Sequence, residues 1–391
     1  MILIHAIYLS YFLAAVLGAP IGQGFNPYSA FDDAFNATWS TFWNWGQQGW
    51  TGSSCPGDAF APPALWDSAV AGGAAVATKN PWLAQQVTTQ LLRYKNAETG
   101  GYSATTAGDK DMYTDDNAQV IWVYIDAYGY TGNSDYLQEA QNILSFIKSQ
   151  WVSNGGGVKW SYTGDYIASI SNAEAALAAL KIYEYSHDDS DLEFAKTSIN
   201  WLADNLEDPS DHLFYDGKTI SSGAVNKGKL SYTVGVAISA YAYLYKFEND
   251  SKWLQKANVL VNASAKGTGV LYAANGYWNN QLKYLNLLFS GLADFANISP
   301  NSIDQWKTQQ SVVQEINRQA KFIYSYYQDG TSGTYFDDIS TAPQNVYAKY
   351  AASFSTSESS SPASSCSNGA TKLSLLTQGS AARIFYDVWR A

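Results

Sequence analysis

Two kinds of hydrophobic run alternate along the chain. Runs of the first kind are apolar on almost every face, as in Ala173–Leu180 and Val234–Tyr241, and a helix of that kind belongs inside a fold. Runs of the second kind are amphipathic. Leu192–Leu202 repeats its apolar residues at three- and four-residue steps and leaves its charges on one solvent face. Inner-type runs fall near 64–78, 115–130, 171–186, 231–247, 279–296 and 371–390; outer-type runs fall near 29–45, 80–95, 134–151, 190–206, 252–264 and 303–327. A polar turn with a shared leucine separates them. Leu83, Leu137, Leu192 and Leu254 are spaced by 54, 55 and 62 residues, and Ala140, Ala195 and Ala257 each follow the last three at a distance of three. Such a period marks a repeated helical hairpin. The unit is an inner helix, a short turn and an outer helix, and extended segments such as Gly156–Trp160 and His212–Asp216 join one unit to the next.

Six hairpins can build an open solenoid or a closed double ring. An open array needs a capping repeat with a polar outer face, whereas the last run, Leu373–Trp389, is as apolar as the inner ones. Cys55 and Cys366 are the two cysteines of the chain, and in a secreted protein an isolated pair reads as a disulfide, here tying an early loop to a late one. The expectation is therefore an all-α protein, an (α/α)6 toroid of six inner and six outer helices. It forms a single domain over 20–391, with a Ser-rich loop at 353–371 before the last helix. Residues 1–19 read as a signal peptide, because Ile2–Leu17 is an apolar run of the right length ending in small residues. A secreted, extracellular protein follows, and Asn36, Asn249, Asn262 and Asn297 head N-glycosylation sequons.

Composition narrows the class of ligand. Charged residues make up 15% of the chain, against roughly 25% in ordinary soluble domains, and 14 Trp with 29 Tyr take up the difference. Rings left on the surface would suit sugar binding by stacking on a pyranose. The net charge of −11 argues against nucleic acid and anionic membranes as partners. No later run is long enough to span a bilayer. Two Cys and three His, none in ligand spacing, predict no metal. A monomer is expected.

The chain contains four adjacent acidic pairs: Asp32-Asp33, Asp115-Asp116, Asp188-Asp189 and Asp337-Asp338. Acidic residues at a helix start are usually caps, so the pairs must be told apart by position. Counting back from the shared leucines, Asp116 aligns with Ser171 and Thr233, and Asn117 aligns with Asn172. These positions open inner helices, whose starts surround the central funnel of a ring, where a pocket forms. Asp188-Asp189 falls in an inner-to-outer turn, Asp32-Asp33 at an outer-helix start, and Asp337-Asp338 in the connection to the last helix. Only Asp115-Asp116 opens an inner helix.

Two carboxyls flanking a glycosidic bond, roughly 5–5.5 Å apart for retention or 6.5–9.5 Å for inversion, are what cleavage of a sugar chain requires. Proximity raises one pKa, as the acid needs, and the helix N-terminus keeps the other group ionised. The residues alone leave the order of roles open. Trp66, Asp67, Tyr113, Asn117, Asn172 and Tyr232 share the rim level, and Trp278 sits in a nearby loop; these are the candidates for substrate contact. Capping competes with that role for the asparagines, and core packing competes for the rings.

Asp115-Asp116-Asn117-Ala118, Trp66-Asp67, Ala168–Leu180, Leu230–Gly235 and Leu376–Ala381 together resemble glycoside hydrolase family 76, the secreted α-1,6-mannanases of bacteria and fungi. The likeness runs from about residue 29 to the C-terminus. It implies an (α/α)6 barrel and retaining endo-hydrolysis of α-1,6-mannosidic linkages in a mannan backbone. Asp115 would be the nucleophile, Asp116 the general acid/base, and no cofactor is implied. The partner would be α-1,6-mannan or a manno-oligosaccharide. Two departures are expected to alter sugar subsites: Asn279–Tyr284 stands where a Phe-Lys-Gly-like motif is expected, and Val234 where a Gln is common. Two alternatives keep the fold, a cell-wall mannan transglycosidase and a non-catalytic mannan-binding toroid.

Overall fold

The computed structural model describes residues 24–329, 333–354, 359–362 and 364–391. The expected signal peptide lies outside them, as does part of the Ser-rich loop. Twelve of the thirteen α-helices among the described residues form two rings. The inner ring consists of α2 (Leu65–Ala77), α4 (Thr114–Thr131), α6 (Ser169–Ser186), α8 (Ser231–Glu248), α10 (Leu282–Ala296) and α13 (Leu375–Arg390). The outer ring consists of α1 (Pro27–Phe42), α3 (Pro81–Leu91), α5 (Ser134–Ser149), α7 (Asp189–Leu206), α9 (Ser251–Ser264) and α11 (Ile303–Tyr326). Neighbouring inner helices pack in that order, and α13 packs back on α2, so the ring is closed. Helix α1 lies chiefly on α13. The first and last helices of the chain thus complete one hairpin, and the Cys55–Cys366 disulfide joins the loops beside them, with Cα atoms 5.4 Å apart across 311 residues of sequence.

The repeated turn has a two-residue cause. Lys79, Gly132, His187 and Asn249 end four inner helices with φ of 56, 66, 51 and 52°, the left-handed conformation that stops a helix. The next residue, Asn80, Asn133, Asp188 or Asp250, is extended, and its side-chain oxygen accepts a hydrogen bond from the N–H two residues on. That bond caps the outer helix. The Asp188-Asp189 pair is therefore turn chemistry, as its register indicated.

A second repeated device fastens the rim. The fourth residue of three inner helices carries an amide that grips an extended segment by both backbone groups. Asn117 Oδ1 accepts from Tyr102 N–H at 2.7 Å, and its Nδ2 donates to Tyr102 O at 2.9 Å. Asn172 Oδ1 accepts from Val158 N–H at 2.9 Å, and its Nδ2 donates to Val158 O at 3.4 Å and to Ala168 O of its own helix start at 2.8 Å. Gln378 treats Tyr335 the same way, at 2.9 and 2.7 Å. Val234 occupies the fourth position of α8 and is buried. With Val in place of Gln, α8 has no amide to make this clamp.

Helices α8 and α10 approach through glycines. A Cβ on Gly235 would lie 2.1 Å from Leu287 O, and one on Gly291 would lie 2.0 Å from Gly235 O. Much of the aromatic surplus is core. Trp39 stacks on Trp43 at 4.2 Å, and Trp50 packs edge-on against both at 5.1 and 5.0 Å. The sequence pattern does not anticipate α12 (Gln344–Phe354), in the connection to α13. It packs outside the two rings against α11, through Tyr350 and Phe354 on Phe322 and Tyr326, and so has no partner in the repeat. Among the described residues no helix is long and apolar enough to cross a membrane. Asn36, Asn249, Asn262 and Asn297 are all exposed.

Candidate active site

Asp115 and Asp116 occupy the second and third positions of α4, and both are half-buried. The extended segment before α6 crosses directly over them. Thr114 N–H donates to Trp160 O at 2.8 Å, and Tyr113 pairs with Ser161. This backbone pairing brings the Trp160 indole over the helix start, where its Nε1–H donates to Asp115 Oδ2 at 3.1 Å. The Tyr113 ring lies 5.0 Å from that of Trp160. Asp115 Oδ1 is buried and has no hydrogen-bond partner, so Oδ2 is the oxygen turned to the mouth.

The two carboxyls are treated differently. Burial raises Asp115 to about 6, while the Trp160 indole and the N–H groups of Asp115 and Asp116 at the helix start pull it down. Burial also drives Asp116 well above the usual carboxylate range, and the charges of Asp115, Asp67 and Asp111 push it further in the same direction. The donors on Asp115 favour its ionisation, while burial and the neighbouring negative charges oppose that of Asp116.

Across the mouth, Trp66 stacks on Tyr284 at 5.8 Å with planes 24° apart, and Tyr232 lies 5.6 Å from Tyr284. These three half-buried rings come from α2, α8 and α10. Asp67 is raised to about 6 by burial, against the opposing charge of Lys283. Lys283 pairs with Asp337 at 3.1 Å, and its backbone N–H donates to Asp337 Oδ1 at 3.0 Å. Asp337 thus caps α10, and the Asn279–Tyr284 departure supplies both a cation and a ring to the rim. One turn further into the ring, Gln119 Nε2 donates to Oε1 of the fully buried Glu174 at 3.0 Å.

Of the sequence candidates, the structure gathers Asp115, Asp116, Trp66, Asp67, Tyr113 and Tyr232 at one mouth. Three others do not face it. Asn117 and Asn172 are fully buried and spend their amides on the backbone clamps described above. Trp278 is buried, with its indole N–H on Ser264 O at 2.8 Å and its ring against Phe289, so it is core and no stacking platform. Sequence reasoning missed Trp160, Glu174, Lys283, Tyr284 and Asp337. Tyr284 carried a usable signal, since it is a ring in the first turn of an inner helix. Glu174 carried a fainter one, as the single charge within an otherwise apolar inner run.

A cavity of about 350 Å³ opens at the other end of the ring, where the inner helices finish. Lys181 pairs with Asp126 there at 2.5 Å, and Arg390 with Asp294 at 2.7 Å. Arg390, in the last turn of α13, answers that helix's dipole, and neither Asp115 nor Asp116 lines this cavity.

The described helices form a closed double ring of the α/α-toroid class, with the Asp115-Asp116 pair at its mouth. The chain belongs to glycosyl hydrolase family 76, whose model matches residues 28–360. Among its relatives, the meiotically up-regulated gene 191 protein of Schizosaccharomyces pombe is 28% identical over 257 residues, 59% of this chain and 57% of that protein. A mannan endo-1,6-alpha-mannosidase of Candida albicans is 32% identical over 143 residues, 33% of this chain and 32% of that protein. The matched region thus spans little more than half of the first relative and about a third of the second. In fold the chain is similar to an alpha-1,6-mannanase of a Salegentibacter species, with a TM-score of 0.74 at 16% identity over 93% of this chain and 99% of that one. That structure is of an inactive variant, with two consecutive aspartates replaced by asparagine, in complex with alpha-1,6-mannotriose.

Proposed function

We propose that the protein is a secreted, monomeric, retaining endo-α-1,6-mannanase, with Asp115 as nucleophile and Asp116 as general acid/base. The carrying observation is the unequal treatment of two adjacent carboxyls at the mouth of the inner ring. A nucleophile must be ionised, and Asp115 alone has an indole donor on the oxygen that faces the mouth. A general acid must hold its proton at working pH, and Asp116 sits among negative charges that keep it protonated. In the first step Asp115 Oδ2 attacks the anomeric carbon while Asp116 protonates the departing glycosidic oxygen. In the second step Asp116, now ionised, takes a proton from water, which displaces Asp115 and restores the original configuration. Trp66, Tyr113, Tyr232 and Tyr284 offer ring faces for pyranoses, and Asp67 with Lys283 offers hydrogen bonds to hydroxyls. The choice of α-1,6-mannan draws on the Candida relative's name and on the mannotriose held by the Salegentibacter neighbour.

Cleavage of unbranched α-1,6-mannan by wild type, Asp115→Asn and Asp116→Asn tests the reading. Asp116→Asn should lose about 10²–10⁴ in kcat/KM, the range of a deleted acid–base group, and Asp115→Asn, which removes the nucleophile, at least as much. An aryl α-1,6-mannobioside with a good leaving group should restore the first step to Asp116→Asn, because that group departs without protonation. The first sugar released, followed by NMR, should be the α-anomer. Near wild-type turnover in either variant, or a β-anomer first, refutes the assignment. Products longer than the substrate with little reducing sugar released would point to a transglycosidase.

A further inference from the structure

Glu174 lies on the inner face of α6, beneath the acidic pair, and is fully buried. Its Oε1 accepts from Gln119 Nε2 at 3.0 Å, while its Oε2 is buried with no partner. Asp115 Oδ1, on the adjacent helix α4, is in the same condition. Two ionised carboxylates cannot satisfy each other, since each only accepts. One neutral carboxyl and one carboxylate can. The proton must sit on Glu174, the more enclosed of the two, which has no helix-start N–H groups and no indole to stabilise a charge.

The charges around Glu174 agree. The charges of Asp115 and Asp116 on α4 act on it, and its own charge acts on the Tyr232 hydroxyl of α8. Among the described residues no cation offsets these charges: Lys181, two turns along α6, pairs with Asp126, and Lys283 on α10 pairs with Asp337. Burial first and Asp115 second keep the Glu174 carboxyl well above its ordinary range.

We propose that Glu174 is a positioning residue whose neutral carboxyl donates a hydrogen bond toward the buried Oδ1 of Asp115, fixing that carboxylate for attack through Oδ2. The inference rests on the reading of Asp115 as nucleophile. A donor on the carboxylate holds it ionised to lower pH and leaves the indole-bonded oxygen as the reactive one.

The experiment reads the ionisation of Asp115 in the Asp116→Asn background by infrared titration of its carboxyl band, which needs no turnover. Replacing Glu174 with Gln retains a neutral donor and should leave the Asp115 midpoint nearly where it was. Glu174→Leu removes the donor and should raise the midpoint by about one pH unit, a shift typical of one lost hydrogen bond to a carboxylate. In enzymes with Asp116 intact, the acid limb of kcat/KM should move by the same amount with KM unchanged. The opposite sign overturns the proposal. If Glu174 is ionised, either substitution removes a repulsive charge and the Asp115 midpoint falls. A protonated-carboxyl band at pH 8 that disappears on Glu174→Gln provides a second reading should Glu174→Leu fail to fold; its absence also overturns the proposal. If no form of the protein cleaves mannan, the mannanase reading fails while both infrared readings still decide the role of Glu174.

Discussion

A carboxyl buried at the mouth of the ring costs the fold stability once it ionises. Asp115 and Asp67 are both raised to about 6 from 3.8. Below about pH 4 both groups are protonated in folded and unfolded chains alike, and the burial carries no charge penalty. Between pH 4 and 6 the unfolded chain releases protons that the folded chain retains, so their stabilising contribution is lost as pH rises and is gone above 6. Asp115→Asn should therefore raise Tm by a few degrees at pH 7, and this gain should vanish below pH 4. Thermal melts across that range check it, and a lower Tm at pH 7 would contradict it. On the proposed function the same ionisation sets the acid limb of catalysis, so kcat/KM should fall tenfold per unit below about pH 6. At this scale the sequence revealed the acidic pair because repeat register separates it from three look-alikes. It concealed Trp160, whose place depends on backbone pairing between a loop and Thr114. It misplaced Asn117 and Asn172, because an asparagine near a helix start has the same signature as cap, clamp or sugar ligand.

Helices and their fastenings carry the rim residues, so damage there should reach the site at second hand. Asn172→Ala removes the amide that satisfies both Val158 N–H and Ala168 O. Leaving such buried groups unpaired costs about 1–3 kcal/mol. Urea unfolding should show that loss, with the acid limb of the pH profile unmoved because Asp115 and Asp116 retain their neighbours. Gly235→Ala acts through spacing. Its Cβ would overlap Leu287 O, forcing α8 from α10 at a cost of about 1–3 kcal/mol. Those helices carry Tyr232 and Tyr284, so KM should rise more than kcat falls; an unchanged KM with lower stability would separate the rings from substrate binding. Twelve of the helices were legible because their apolar faces recur with a period. Helix α12 was not, since it covers α11 from outside and repeats nothing.

Closure is the property that joins these pieces into one molecule. An array of hairpins has two ends, and here the apolar face of α13 is covered by α1 from the opposite end of the sequence. The Cys55–Cys366 bond locks the adjoining loops, and Leu373 N–H donates to Ser54 Oγ at 2.8 Å beside it. Because the crosslink closes nearly the whole chain, it removes more freedom from the unfolded state than a local bridge would, and disulfides contribute typically 2–4 kcal/mol. The double variant Cys55→Ser/Cys366→Ser should unfold at lower urea by that amount. On the proposed function, its activity on mannan at 25 °C should nevertheless stay within about twofold of wild type, because α1, α13 and α2 remain packed without the bond and neither cysteine touches the acidic rim. The unfolding curve is the sharper reading. A single transition shifted to lower urea means that helix packing closes the ring and the disulfide only raises its stability. An early step that frees α1 and α13 before the rest, together with loss of activity, would mean that the covalent bond is what keeps the ring closed.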